Sequence, residues 1–197
     1  MLAENPTARL SVRAVAARAG VSVGSLRHFF PTQRELIDTV VAGLLSLDIP
    51  DDPMNDASSS PSDRLVGCLQ SLLAEVGAGE QARDYVTSLH RAYVASPPDP
   101  ESEHTFHSLE RLGVQRVVRW LTTLGEEEAL APGEIEQQAR FLLTVVNGLA
   151  LERALPGAQA RIAYERDTLG LAASAVVADR TASGAFLARD DMSVTRS

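Results

Sequence analysis

Every strong cation in this 197-residue chain is an arginine, since its 18 basic side chains include no lysine. Any anion the chain recognises must therefore meet guanidinium, imidazole, hydroxyl or backbone N–H groups. Five of the arginines, Arg9, Arg13, Arg18, Arg27 and Arg34, fall within residues 1–47 against Glu4, Glu35 and Asp38, a local balance of +2 in a chain whose net charge is −8. A mildly basic head on an acidic body fits one anion-facing end joined to a larger part with another task. Elsewhere, His104 and His107 stand three apart beside Glu101, Glu103 and Glu110, a spacing that puts both imidazoles on one helical face, as a metal or a pH-sensitive ligand could use. Carboxylates in a first helical turn have a simpler origin in the helix dipole, so no metal site is expected. Cys68 is the only cysteine and cannot form an internal disulfide or a Cys-rich metal centre. There is no phosphate-binding glycine loop, no nucleophile elbow and no HExxH, so no catalytic residue and no cofactor is expected.

These side chains need elements to carry them. Val12, Val15, Ala16 and Ala19 recur at i, i+3, i+4 and i+7, one apolar helical stripe with Ser11 as its N-cap and Gly20 as the stop just beyond it. Only Val21 separates Gly20 from Ser22, a second N-cap, which opens a helix over Val23–Phe30 whose Val23, Leu26 and Phe30 share a face. Pro31 ends it. Thr32 and Glu35 have capping-box spacing for a third helix carrying Leu36, Ile37, Val40, Val41, Leu44 and Leu45. Small residues at Ala16 and Ala19, a glycine turn and a prompt restart describe a helix-turn-helix. In such a unit the second helix enters the DNA major groove with its first residues against base edges. Here those residues are Val23, Gly24 and Ser25, with Arg27 and His28 one turn later.

Beyond residue 47 the reading is coarser. Residues 48–61 are rich in Pro, Asp and Ser and read as a connecting loop or a mobile linker. Helices are expected at about 61–77, 80–96, 101–124, 132–155 and 158–179, followed by a frayed, disordered tail over 181–197. A composition 45% hydrophobic but only 5% aromatic favours an all-α fold over a sandwich or barrel. Neither a leader pattern nor an apolar run long enough to cross a bilayer is present in the sequence, so a cytoplasmic chain with no membrane partner is expected.

The stretch Ser11–Leu36 resembles the DNA-binding region of the tetracycline-repressor (TetR) family through Ser11, Arg13, Ala16, Ala19, Gly20, Val21, Ser22, Gly24, Leu26 and Phe30. The resemblance implies a transcriptional regulator, most simply a repressor that binds a palindromic operator in double-stranded DNA as a homodimer and is released by a small-molecule effector. It also implies base contacts from Arg13, Val23, Gly24, Ser25 and His28, and phosphate contacts from Ser11, Arg27, Gln33 and Arg34. The chain departs from the family pattern in three places. Arg27 replaces a Tyr, Gln33 replaces a Lys, and Phe29 replaces a His and cannot donate a hydrogen bond to phosphate. Only ten residues precede Ser11 where the family has a full helix, so the DNA-binding region is expected to lack most of its first helix, with Val15, Leu26 and Phe30 partly uncovered. Abundant Ala without any Lys points to a GC-rich coding sequence and a bacterial source.

Under this reading residues 1–47 are the DNA-binding region with its connecting helix, and residues 48–180 are an all-helical ligand-binding and dimerisation domain. Tyr85, Tyr93, Phe106 and Trp120 are candidate lining for an effector cavity, with Arg140 and Asn147 as polar contacts, although such residues are commonly plain core. The apolar last helices, through Leu142, Val146, Leu149, Leu171, Ala175 and Val176, are the candidate four-helix dimer interface. That arrangement would set two recognition helices about 34 Å apart, one turn of DNA. Two competing classes are a helical dimeric ligand-binding or protein-interaction protein that has lost DNA binding, and a small helical enzyme, which has no motif in its favour.

Overall fold

The computed structural model describes residues 12–45, 52–95, 97 and 99–178. They form α1 (Val12–Ala19), α2 (Val23–Phe29), α3 (Gln33–Leu45), a 3-10 turn (Pro53–Asn55), α4 (Pro61–Val76), α5 (Glu80–Tyr93), α6 (Pro100–Glu126), α7 (Ile135–Ala154) and α8 (Ala158–Ser174). The fold is all-α. Among the described residues there is no strand, only an isolated antiparallel bridge between Leu130 and Val177, and no helix is long and apolar enough to cross a membrane.

The first three helices begin and end where local chemistry dictates. α1 closes on Gly20 at φ +67°, with Gly20 N–H donating to the Ala17 carbonyl and Val21 N–H to the Ala16 carbonyl, the paired bonds of a Schellman stop. Ser22 caps α2 by accepting from Ser25 N–H at 3.0 Å, and Thr32 caps α3 by accepting from Glu35 N–H at 3.2 Å while its hydroxyl donates to the Glu35 carboxylate. Ala16, Leu26 and Leu36 are buried together, with Val15, Val23, Phe30 and Val40 packed around them. Leu26 is thus covered, whereas Val15 and Phe30 are half-buried. Residues 1–11, on which the expectations about the first helix and the Ser11 cap fall, lie outside the described residues, as do residues 181–197, where a tail is expected.

The remaining helices enclose a second, larger core in which α7 lies against α4, α5, α6 and α8. Leu65, Leu69, Leu73, Val117, Leu121, Leu124, Leu142 and Leu169 are fully buried there. Arg153 of α7 ties three helices at once. Its guanidinium grips the buried Glu165 of α8 in bidentate fashion, at 2.7 and 2.6 Å, and also donates to the Leu73 and Gly77 carbonyls at the end of α4. Those carbonyls are the acceptors a helix leaves unmet at its C-terminus, so one side chain both neutralises a buried acid and caps a helix.

Two expectations are refined. Of the connecting loop or mobile linker expected over residues 48–61, the described residues 52–60 form a docked connecting segment: Met54 is buried, its carbonyl accepts from Arg64, and Asp52 accepts from the Trp120 indole at 2.9 Å. The last helix stops at Ser174 rather than 179, because the chain turns there and pairs its backbone with residues 129–131 through Ala131 N–H to the Val176 carbonyl and Ala178 N–H to the Ala129 carbonyl.

Candidate nucleic-acid interface

α2 presents two different sides. Val23, Leu26 and Phe30 face the small core, while Gly24, Ser25, Arg27, His28 and Phe29 are exposed. A Cβ added at Gly24 would meet only Ser22 Oγ at 3.7 Å, an ordinary contact, so nothing within the chain demands glycine there. The Ser25 hydroxyl lies 2.9 Å from that of Ser22, within the helix cap. Of the residues assigned to bases, Arg13, Gly24, Ser25 and His28 are exposed and Val23 is half-buried. Of those assigned to phosphates, Arg27 and Arg34 are exposed and Gln33 is half-buried at the start of α3.

The charge of this end is more one-sided than its net +2 conveys. From Val12 to Arg34 the sequence contains Arg13, Arg18, Arg27 and Arg34 but no Asp or Glu. The two carboxylates that follow are engaged elsewhere. Glu35 closes the α3 cap with Thr32, and Asp38 turns toward α6, its carboxylate 3.3 Å from His104 Nε2 and 3.6 Å from the Arg111 guanidinium. From Val12 to Arg34 the helix-turn-helix thus offers cations and no carboxylate, which suits a polyanion. Counting carboxylates along that stretch, rather than over residues 1–47, would have exposed this signal.

α3 joins the small core to the large one. Its Leu36 faces α1 and α2, whereas Ile37 and Val41 are buried on another face against Val15 and Leu112 of α6. Thr105 and Ser108 are buried on α6, small residues of the kind that let a neighbouring helix approach closely. One oxygen of Asp38 is sealed from solvent with no hydrogen-bond partner, so its approach to His104 and Arg111 is electrostatic. His104 and His107 are thereby split: His104 points toward α3, and His107 lies exposed between Glu103 and Glu110. Among the described residues no cluster of three His, Cys, Asp or Glu side chains could hold a metal ion.

The residues proposed to line an effector cavity do not converge. Tyr93 and Phe106 meet, ring centroids 5.2 Å apart, and Tyr85 is half-buried against the large core. Trp120, however, is core, its N–H held by Asp52, while Arg140 and Asn147 lie on the exposed side of α7, Arg140 paired with Glu136 at 3.0 Å.

The proposed interface residues also divide. Leu142, Val146, Leu149 and Val176 are buried inside the chain's own core, where a second subunit cannot touch them; Leu171, 74% exposed, and Ala175 face outward. α7 and α8 nonetheless each carry an outer stripe of mostly apolar residues, Phe141, Thr144, Gly148, Leu151 and Leu155 on one and Tyr164, Thr168, Leu171 and Ala175 on the other, all exposed at alternating spacings of three and four. This is the period of a helix seam that seeks a partner. The inner and outer faces of α7 have the same spacing, so periodicity alone could not tell them apart.

The sequence pattern of the bacterial regulatory proteins of the tetR family matches residues 1–40. No curated protein matches the sequence. Among solved structures the chain is similar to a TetR transcription regulator from Haloarcula marismortui, at 18% identity and a TM-score of 0.50, the match covering 90% of this chain and 92% of that one. It is also similar to a tetR-family transcription regulator from Shewanella sp. PV-4, at 16% identity and a TM-score of 0.48 over 90% and 93% of the two chains. A third similarity is to the ketosteroid transcriptional regulator KstR2 of Mycobacterium tuberculosis, at 20% identity and a TM-score of 0.43 over 91% and 90%. The Haloarcula protein shares the all-helical fold.

Proposed function

We propose that this chain, whose first 40 residues match the pattern of the bacterial regulatory proteins of the tetR family, is a cytoplasmic repressor that binds a palindromic operator as a homodimer and is released by a small-molecule effector. The observation that carries the DNA-binding part is the exposed, carboxylate-free face of α1 and α2, matched to the family's DNA-binding pattern. Arg13, Gly24, Ser25 and His28 are assigned to base edges together with the rim of Val23, and Arg27, Arg34, Gln33 and Ser11 to phosphates. Dimerisation is assigned to the outer stripes of α7 and α8, where Leu171 and Ala175 join Phe141, Leu151 and Tyr164. The effector is assigned to the α4–α8 body on the side of Tyr85, Tyr93 and Phe106, with α3 and α6 carrying its influence to the DNA-binding helices. Residues 1–47 and 48–180 are the corresponding functional divisions.

The decisive experiment is fluorescence anisotropy of the full chain with DNA flanking its own gene, at two salt concentrations, against scrambled DNA of equal length. Sequence-specific binding that weakens steeply as salt rises is expected, because each neutralised phosphate releases counterions. Equal affinity for both duplexes at both salts would refute the regulator reading.

A further inference from the structure

Among the described residues, Phe29 belongs to none of the apolar clusters. At about 100° per residue, α2 sets Val23, Leu26 and Phe30 on its buried side, Gly24 and His28 on the opposite side, and Ser25 and Phe29 together on one flank of the outward surface. Phe29 is 73% exposed, and its ring meets that of His28 edge-on, centroids 5.4 Å apart at 78°. Arg27 and His28 beside it can hydrogen-bond to phosphates and base edges, but a benzyl group has neither charge nor donor and can make only an apolar contact. The apolar group that the floor of the major groove offers is the 5-methyl of thymine.

We propose that Phe29 is a specificity-determining residue that reads a thymine, its ring packed on the 5-methyl group at the flank of the site entered by α2, with His28 holding the ring edge-on. The assignment rests on the DNA-binding reading above. A cytosine at the same place presents hydrogen instead of methyl and leaves the ring in water, so the contact discriminates without a hydrogen bond.

Duplexes preferred by the full chain are enriched from a random-sequence library, and the affinity of the enriched duplex is measured with each thymine replaced in turn by deoxyuridine, which removes the methyl group and nothing else. The unaltered protein is expected to lose about fourfold at one thymine per half-site, the effect of one buried methyl. Phe29→Ala, with an unchanged circular dichroism spectrum, is expected to bind the two duplexes alike. Indifference of the unaltered protein to every methyl, or a methyl dependence that survives in Phe29→Ala, overturns the assignment and leaves DNA binding standing. Failure to enrich or bind any duplex at low salt overturns the DNA-binding reading, and this assignment with it.

Discussion

Asp52 shows how a single carboxylate can organise residues far apart in the chain. One oxygen accepts from Met54 N–H at 3.0 Å and from the Cys68 thiol at 3.3 Å, and the other accepts from the Trp120 indole. Burial alone would raise its pKa, but the bonds from Trp120, Met54 and Cys68 outweigh burial and hold the carboxyl below its ordinary 3.8. The same surroundings push the buried Cys68 thiol far above its usual range, through desolvation first and then the Asp52 charge, which makes it a packing residue and not a nucleophile. A folded-state pKa below the unfolded one means that Asp52 stabilises the fold in full above about pH 4 and loses that contribution as pH falls through the folded value. Asp52→Asn removes the charge and leaves three buried donors with one acceptor oxygen among them, so it is expected to cost about 1–3 kcal/mol near neutral pH and to flatten the acid limb of the stability profile. Trp120 is the only tryptophan, and its fluorescence during urea unfolding reports the loss directly. None of this was legible in the sequence, where Asp52 sits among Pro, Asp and Ser residues that read as linker. Its partners lie 16 and 68 positions away, beyond the reach of any local pattern.

Elements separate the readable from the unreadable more sharply. α1, α2 and α3 could be read almost to the residue because each boundary is chemical: a glycine at positive φ, a serine cap, a proline followed by a threonine cap. α7 could be placed as a helix, but its faces could not be assigned, because Leu142, Val146 and Leu149 repeat with the same 3.6-residue rhythm as Phe141, Gly148 and Leu151. Only the packing of α4, α5, α6 and α8 decides which row turns inward. The two rows should therefore answer differently to the same substitution. Leu149→Glu buries a charge in the core and is expected to abolish cooperative unfolding, a loss well above 3 kcal/mol. Leu151→Glu, together with Leu171→Glu, is expected to keep the thermal transition and to convert the proposed dimer to monomer in sedimentation velocity. A dimer that persists in the double variant would remove α7 and α8 from the interface.

At the scale of the whole molecule, the question is how a body that carries most of the negative charge governs an arginine-bearing head. The connection the structure offers runs between α3 and α6: Ile37 and Val41 pack against Leu112, and Asp38 faces His104 and Arg111. Leu112 belongs to this junction and not to the large core, so Leu112→Ala removes apolar contact from the tie while leaving both cores filled. Half-buried as it is, it is expected to contribute about 1–2 kcal/mol. In the unaltered chain, Trp120 fluorescence, which reports the body, and far-ultraviolet circular dichroism, which reports every helix, should give one common thermal midpoint. In Leu112→Ala the circular dichroism should begin to fall first, with amide exchange quickening over residues 12–45 while the fluorescence midpoint holds within a few degrees. Coincident curves in the variant would mean that head and body are bound by something other than this contact, and α3 would lose its place as the route by which an effector reaches DNA. Separated curves would establish that this junction couples head to body, as the proposed effector response requires, and such a response is reciprocal: whatever factor an effector takes from operator affinity, the operator takes from effector affinity.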